Sequence, residues 1–321
     1  MHNNRHSMRL PASTTIGVLL AMWGGLSHGQ EDAAFAGPVQ NFRDTLAYWT
    51  PARMQEAHST GREDPLRPPT EEVITPGGDE DGSAAVAEPY QDVSSLVGEL
   101  FFYDPGLERN SHCTASVLKS RTKRLLVTAA HCLLLGQKPL RWNGYPMFVP
   151  AYNGKLPVSD PQRAPYGLWP VRQGYVDKKL ESDPELIIST AYDIAVAAVF
   201  DQLSRPVQDV VGGGLVAEPN GAGVQFSLLN FIGYPAAERY GGASQFWCLS
   251  RMQSPSNISL TTLNCASSSG YSGSPVLSVE DSKVGPQRGV VVGVVHSPGA
   301  QARLLPGLFE AILHMAESAN E

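Results

Sequence analysis

The chain has 321 residues, which is enough for two average domains or for one larger domain with additional segments. Hydrophobic residues make up 42% of it and charged residues 17%, which excludes a fully disordered chain and a coiled coil. The net charge of −7 is the wrong sign for binding a polyanion, so we expect no nucleic-acid partner.

The excess of negative charge lies in one early stretch. Residues 30–92 contain thirteen Asp and Glu against four Arg, whereas residues 93–321 contain eighteen charges of each sign. The acidity therefore belongs to a leader and to the start of the domain that follows it, and the main body is neutral by count.

Residues 1–29 have the features of a secretory signal peptide. Arg5 and Arg9 give a positive start, an apolar run follows at residues 16–26, and Ser27-His28-Gly29 offers small residues for cleavage. The run is short for a membrane span, and an uncleaved anchor is the alternative. We predict secretion, to the extracellular space or to a periplasm, with no membrane attachment after cleavage.

Residues 30–72 are polar and contain scattered prolines, which is typical of a propeptide or disordered leader. Within this leader, residues 41–57 have the spacing of a short helix around Phe42, Leu46 and Trp49.

From about residue 94, short apolar strands alternate with turn signals, which predicts an all-β sandwich or barrel. Strands are predicted at residues 96–102, 114–118, 124–128, 194–200, 226–233, 275–278 and 290–296. Near the end of the chain, apolar residues follow one helical face and predict a C-terminal helix docked on the body: Leu308, Phe309, Ile312, Leu313 and Met315.

The chain contains four cysteines, which fit an oxidising compartment and allow three pairings: Cys113, Cys132, Cys248 and Cys265. We favour Cys113–Cys132 and Cys248–Cys265, because each pair lies within one segment. A zinc site is the alternative, since His112 and His131 each precede a cysteine. Adjacent residues on a strand point to opposite faces and seldom converge on one metal, so we do not expect zinc here. No other cluster of metal ligands stands out in the sequence, and we expect neither a metal nor a cofactor.

Three segments place a polar residue beside an apolar strand. His131 follows one strand, Asp193 opens another, and Ser272 lies in a turn flanked by Gly270 and Gly273. A serine hydroxyl becomes a nucleophile when an imidazole accepts its proton and a carboxylate orients that imidazole. Each residue alone has an ordinary explanation as a cap or loop residue. Together they supply a base, an orienting carboxylate and a nucleophile in the order His, Asp, Ser.

The motifs Thr-Ala-Ala-His-Cys at 128–132, Asp-Ile-Ala-Val at 193–196 and Gly-Tyr-Ser-Gly-Ser-Pro at 270–275 resemble those of chymotrypsin-like serine peptidases. Segments 97–102, 112–117, 233–235 and 293–296 are similar to the secreted glutamyl-endopeptidase branch of that family. The resemblance covers residues 73–321. It implies two antiparallel six-stranded β-barrels with the active site between them.

The resemblance implies the role of each residue. Ser272 is the nucleophile, His131 is the general base and then the acid, and Asp193 is the orienting residue. The backbone N–H groups of Gly270 and Ser272 form the oxyanion hole. Ser297 lies along the substrate strand and is placed to hydrogen-bond Asp193. The implied activity is that of an endopeptidase that acts on proteins and peptides through an acyl-enzyme, and we expect a monomer.

The side chain that enters the P1 pocket is also implied by the resemblance. Ala266 stands where trypsin-like members have an aspartate, which argues against a basic P1 residue. His296 and Ser267 match the positions with which glutamyl endopeptidases hold an acidic P1 side chain, and an imidazole with a hydroxyl suits a carboxylate. A preference for a small or apolar P1 residue is the alternative.

Activation is expected to differ from that of trypsin-like zymogens. Tyr271 replaces the aspartate with which those zymogens capture the new N-terminus. The sequence from Val73 resembles the mature N-terminus of glutamyl endopeptidases, whose α-amino group helps to bind an acidic P1 residue. We expect a cut between Glu72 and Val73 to remove residues 30–72 and leave residues 73–321 as the protease domain.

Two other classes of protein are alternatives to this interpretation. An α/β-hydrolase needs Gly-x-Ser-x-Gly with the histidine after the serine, whereas position 274 is serine and His131 precedes Ser272. A catalytically inactive binding module on a protease scaffold is the second alternative, and the three intact triad positions give it no support.

Overall fold

The computed structural model describes residues 33–59, 83–219, 228–236, 240, 243–253, 259–262, 265, 269–278, 290–297 and 300–321. The predicted signal peptide, the Glu72–Val73 junction and Ser267 lie outside these residues. None of the helices in the described stretches combines the length and the apolar content needed to cross a membrane.

The described stretches contain seventeen strands, six α-helices and three 3₁₀ helices, the last at Ala130–Cys132, Pro161–Arg163 and Pro184–Ile188. The first ten strands are β1 Ala34–Ala36, β2 Ser83–Ala85, β3 Val97–Asp104, β4 Arg109–Val117, β5 Leu125–Thr128, β6 Leu134–Leu135, β7 Arg141–Trp142, β8 Gly144–Pro150, β9 Trp169–Asp177 and β10 Ala195–Val199. The others are β11 Val216–Ala217, β12 Leu228–Gly233, β13 Phe246–Gln253, β14 Ser259–Thr262, β15 Pro275–Ser278, β16 Val290–Ser297 and β17 Ala300–Arg303. The α-helices are α1 Phe42–Tyr48, α2 Pro51–Ser59, α3 Val93–Leu96, α4 Lys179–Ser182, α5 Val207–Val211 and α6 Leu308–Ser318.

Six antiparallel strands close into the first barrel, in the order β9-β10-β5-β4-β3-β8, with β8 pairing back to β9. Every residue of β5 and β10 is buried, and these strands consist of leucine, valine, alanine and one threonine. Small and β-branched residues suit a strand that is covered on both faces. Leu100, Phe148 and Trp169 lie opposite one another on paired strands, and their fully buried side chains share one face of the barrel sheet.

The second barrel has the order β16-β15-β12-β13-β14-β17, and the pairing of β16 with β17 closes it. β2 pairs with the start of β13, at Phe246–Cys248, and β11 pairs parallel to β16. Helix α6 contacts β9 and β10 of the first barrel and buries Phe309 and Ile312 completely. The all-β fold class, the two antiparallel six-stranded barrels and the C-terminal helix are therefore confirmed.

Residues 33–59 fold onto the first barrel, so the expectation of a disordered leader is wrong for this part of the chain. β1 pairs with β9, with Ala34 opposite Asp177. Trp49 and Ala57 are buried in the same core as the barrel strands. The two helices, α1 and α2, cover the stretch in which the sequence predicted one. The few apolar residues of this polar segment find their partners on the barrel, and composition alone does not reveal such partners.

Both predicted disulfides are confirmed. Cys113 is bonded to Cys132 and Cys248 to Cys265, with Cα–Cα distances of 6.0 and 5.8 Å. The first bridge ties β4 to the short turn of 3₁₀ helix, Ala130–Cys132, that carries His131. Because these sulfur atoms are bonded to one another, they are not available as thiolate ligands, and the zinc alternative fails for these pairs.

Candidate active site

His131 lies directly beyond the end of β5. The strand ends at Thr128, and the fully buried Ala129 and Ala130 lead into the 3₁₀ turn. The ring keeps 11% of its side-chain surface exposed, whereas Cys132 beside it is fully buried. Small residues before the histidine let the chain turn tightly against neighbouring strands, and the disulfide at Cys132 fixes the other side.

Asp193 reaches His131 because β10 pairs with β5. Ala195, at the start of β10, lies opposite Thr128, at the end of β5, so the residues just outside the two strand ends are neighbours. Asp193 Oδ2 lies 2.8 Å from His131 Nδ1, and Asp193 Oδ1 accepts a hydrogen bond from the His131 backbone N–H at 2.9 Å. One carboxylate thus holds both the ring and the backbone of the histidine.

Asp193 has a second imidazole partner. His296 Nδ1 lies 2.5 Å from the same Oδ2 atom, and the rings of His131 and His296 meet edge to face with centroids 6.1 Å apart. His296 belongs to β16, so the carboxylate of the first barrel is also bound by the second. The sequence placed Ser297 at Asp193 and His296 in the P1 pocket.

A β-bulge explains the difference. The register of β16 against β17 shifts between Val295 and Ser297, which leaves His296 as the extra residue. A bulge re-aims the side chain of the extra residue, and motif position alone does not show this. In the structure, the bond to Asp193 therefore comes from the residue before Ser297, and Ser297 ends the strand half-buried.

The environment of Asp193 favours its charged form. The side chain is fully buried, and burial alone would raise its pKa, but the attraction of His131 and hydrogen bonds from His131 and His296 hold the pKa of Asp193 well below its ordinary range. Asp193 is therefore a carboxylate at neutral pH, and only the carboxylate accepts hydrogen bonds from both rings.

Ser272 lies in the turn that precedes β15, and the turn is anchored on the first barrel. The Thr114 N–H donates to the Ser272 carbonyl at 2.8 Å, and Thr114 Oγ1 donates to the Gly270 carbonyl, also at 2.8 Å. Gly273 has a φ of +80°, and a Cβ there would lie 2.2 Å from both Thr114 O and Thr128 Oγ1. The turn is thus packed against the end of β5, where the His131 segment begins.

The two N–H groups expected to form an oxyanion hole have defined directions. The Ser269 carbonyl accepts from Ala236 N at 2.7 Å, and the Tyr271 carbonyl accepts from Ser274 N at 2.9 Å. In a trans peptide the N–H points opposite to the carbonyl. The N–H groups of Gly270 and Ser272 therefore point away from these internal bonds, which is the arrangement that a donor to a substrate oxygen needs.

Gly273→Ala tests this packing and is expected to destabilise the protein by roughly 2–4 kcal/mol, because it adds a clash with backbone to the cost of a positive φ. The matched control is Gly212→Ala, since Gly212 has a φ of +85° with nothing within 4 Å of its added Cβ. That control is expected to cost about 1–2 kcal/mol. Denaturant unfolding measures both changes, and equal costs would show that the turn is not packed as described.

Sequence reasoning missed a buried cluster of one glutamate and two histidines beneath the Ser272 turn. Glu99 of β3 is fully buried, and its Oε1 lies 2.7 Å from His58 Nε2 and 2.9 Å from His112 Nδ1. Burial would raise the pKa of Glu99, but the attraction of His58 and His112 outweighs it and lowers the pKa. A Cβ on Gly270 would lie 2.7 Å from His112 Cε1, so the cluster supports the turn. A glutamate inside an apolar strand was the signal, because a buried carboxylate needs a partner.

Two groups in the described residues carry metal-ligand atoms within 4.8 Å of one another. In the first, Cys113 and Cys132 are joined as a disulfide. In the second, the Nδ1 atoms of His131 and His296 lie 2.8 and 2.5 Å from Asp193 Oδ2. These are hydrogen-bond distances, and a zinc ion with bonds of about 2.0 Å would hold the same atoms further apart. The first group is thus a disulfide, and the second is held together by hydrogen bonds to Asp193.

Three solved structures are similar to this chain. A thermostable serine protease, AL20, from an extremophilic microorganism is 19% identical with a TM-score of 0.55, over 69% of this chain and 97% of that one. The protease Anisep from Arthrobacter nicotinovorans is 21% identical with a TM-score of 0.56, over 71% and 98%. A Glu endopeptidase in complex with MPD is 16% identical with a TM-score of 0.56, over 75% and 98%.

No family model matches the chain, and no curated protein matches it. The structural likenesses span nearly the whole of each solved protease and show that this chain has the chymotrypsin-like serine protease fold. The resemblance read from the motifs is confirmed at the level of the fold.

Proposed function

We propose that this protein is a serine endopeptidase that cleaves peptide bonds through an acyl-enzyme on Ser272. The observation that carries the proposal is the fully buried Asp193, which binds both the ring and the backbone of His131 in a chain with a serine protease fold. Burying a carboxylate is costly unless it is paired. In the proposed reaction the imidazole of His131 becomes positively charged, and the buried Asp193 carboxylate stabilises that charge.

Each step of the proposed reaction uses a named atom. Because Nδ1 of His131 faces Asp193, Nε2 is the nitrogen left to accept the Ser272 proton as Oγ attacks the substrate carbonyl. Asp193 stabilises the imidazolium, which then gives its proton to the leaving amine. Water, deprotonated by the same nitrogen, hydrolyses the acyl-enzyme and restores Ser272. The N–H groups of Gly270 and Ser272 stabilise the oxyanion in both halves of the reaction.

We further propose a preference for Glu or Asp at P1. His296 Nδ1 is occupied by Asp193, which leaves Nε2 as the nitrogen for a substrate. A protonated His296 between the Asp193 carboxylate and a P1 carboxylate would place charges of alternating sign. Ser267 and the α-amino group of Val73 are proposed as further ligands, on the strength of the motif resemblance. A preference for small or apolar P1 residues is the competing proposal.

The N-terminal sequence supports a proposal for the secretion and proteolytic maturation of the protein. The protein is secreted after loss of residues 1–29, matures by a cut between Glu72 and Val73, and acts as a monomer on peptide and protein substrates. N-terminal sequencing of secreted material tests this, and a start far from Val73 would contradict the cleavage site.

The wild-type protein is expected to react with a fluorophosphonate probe at Ser272 and to cleave peptides with Glu at P1 roughly 10–100-fold faster, in kcat/KM, than matched peptides with Gln. The factor is that of one hydrogen bond to a charged group. Peptide mapping of the labelled protein and a P1 library measure the two parts separately. Labelling without this preference would favour the competing P1 proposal, and no labelling would favour a binding module.

A further inference from the structure

Residues 33–59, called the N-terminal segment below, add a strand to the first barrel. Besides the β1–β9 pairs, Gly37 N donates to Gly174 O and Gln40 N donates to Arg172 O, each at 2.8 Å. Main-chain pairing of this kind is how extended peptides bind to the edge of a sheet. The segment thus contacts the barrel as a bound peptide would.

Aromatic side chains anchor the middle of the segment. Trp49 is buried, its Nε1 donates to Tyr145 O at 2.6 Å, and its ring lies 5.4 Å from that of Phe101. Tyr48 stacks on Tyr145 with ring centroids 4.2 Å apart and donates its hydroxyl proton to Asn110. Buried aromatic anchors of this type supply much of the affinity at protein interfaces.

A buried contact between His58 and Glu99 holds the end of the segment, with His58 Nε2 2.7 Å from Glu99 Oε1. The side chains of His58 and Glu99 are 3% and 0% exposed, and Glu99 is part of the first barrel itself. If the segment left, the buried Glu99 would keep only His112 from the described cluster. Removing one partner from a buried pair is strongly destabilising, because the remaining charge is not compensated.

We propose that the N-terminal segment stays bound to the first barrel after the chain is cut, so that the mature protein consists of two non-covalently associated chains. The cut itself rests on the proposed maturation after Glu72. The barrel surface formed by β3, β4, β8 and β9 is the docking site, and its occupant is the protein's own N-terminal segment. This replaces the expectation of a leader that departs on cleavage.

The test uses a full-length chain in which a recognition sequence for a site-specific protease replaces residues 64–70, in a Ser272→Ala background. After complete cutting, size-exclusion chromatography and native mass spectrometry are expected to show both chains together at micromolar concentration. Separate elution of the N-terminal chain would overturn the proposal. Because the cut is made by an added protease and Ser272 is absent, this result is independent of whether the protein is a peptidase.

His58→Ala in the same cut protein is expected to weaken retention of the segment roughly 10²–10³-fold, which is the effect of removing one partner from a buried pair. Gln55→Ala is the matched control, since Gln55 lies on the same helix and is exposed. It is expected to change retention less than twofold. Dissociation rates, measured by competition with a labelled 33–59 peptide, report both variants. Equal rates for His58→Ala and Gln55→Ala would show that the His58–Glu99 contact does not hold the segment.

Discussion

Replacing Ser272 by alanine is expected to lower kcat by on the order of 10⁶-fold and to leave substrate affinity nearly unchanged. The substitution removes only the hydroxyl group of Ser272. The turn around it is held by backbone hydrogen bonds, by the Thr114 side chain and by the close packing of Gly273. The variant should therefore fold normally and bind substrate without turning it over. Hydrolysis of a peptide found in the P1 library, followed at saturating substrate, measures kcat directly.

Ser274→Ala is the matched control for this substitution. Ser274 lies in the same turn and is fully buried, and its hydroxyl has no hydrogen-bond partner among the residues that the structure describes. Its loss is expected to change kcat less than about 10-fold, since it leaves both proposed oxyanion donors and His131 in place. Turnover by Ser272→Ala comparable to that of Ser274→Ala would refute the proposed nucleophile.

The sequence was sufficient to predict the parts of the site that depend on local chain order. His131 ends one strand and Asp193 opens another, and the pairing of Ala195 with Thr128 brings them together. The two disulfides and the C-terminal helix were predictable for the same reason, since each depends on residues that are close in the chain. A resemblance in short motifs was then enough to imply the fold.

Contacts between distant segments were not predictable in this way. The bond from His296 to Asp193 depends on a bulge in β16. No residue type in the motif predicts that bulge. The partners of Glu99 come from α2 and from β4, so a buried glutamate could be noticed but not paired. Residues 33–59 have the polar composition of a leader, and their apolar side chains are explained only by a barrel surface formed much later in the chain.

The hydrogen bond from the His131 backbone N–H to Asp193 Oδ1 determines how an asparagine would be oriented at position 193. Asp193→Asn keeps the shape of the side chain, and the His131 N–H at Oδ1 requires a carbonyl oxygen at that position. The amide NH₂ must then take the place of Oδ2, where it faces Nδ1 of His131. A donor at this position forces Nδ1 to be an acceptor and moves the ring proton to Nε2. In that tautomer Nε2 of His131 carries the ring proton, so this nitrogen has no lone pair with which to accept the Ser272 proton.

Asp193→Asn is therefore expected to lower kcat on the order of 10⁴-fold at neutral pH, as a wrong histidine tautomer does in a catalytic triad. His296→Gln is the comparison, because it removes the second ring and leaves the Asp193–His131 pair intact, and its kcat should fall far less. Steady-state kinetics on one substrate compare the two. A loss below about 10-fold for Asp193→Asn would mean that Asp193 does not orient the base.

The same substitution changes how stability depends on pH. The folded pKa of Asp193 lies below its unfolded value, so the paired carboxylate stabilises the protein at pH values above the unfolded pKa of about 3.9. This contribution is lost as the pH falls through the folded pKa. Asp193→Asn has no such group, so its free energy of unfolding should fall less steeply than that of the wild type as the pH is lowered below about 4. Urea unfolding at a series of pH values measures both slopes, and equal slopes would show that the two histidines do not stabilise the Asp193 carboxylate.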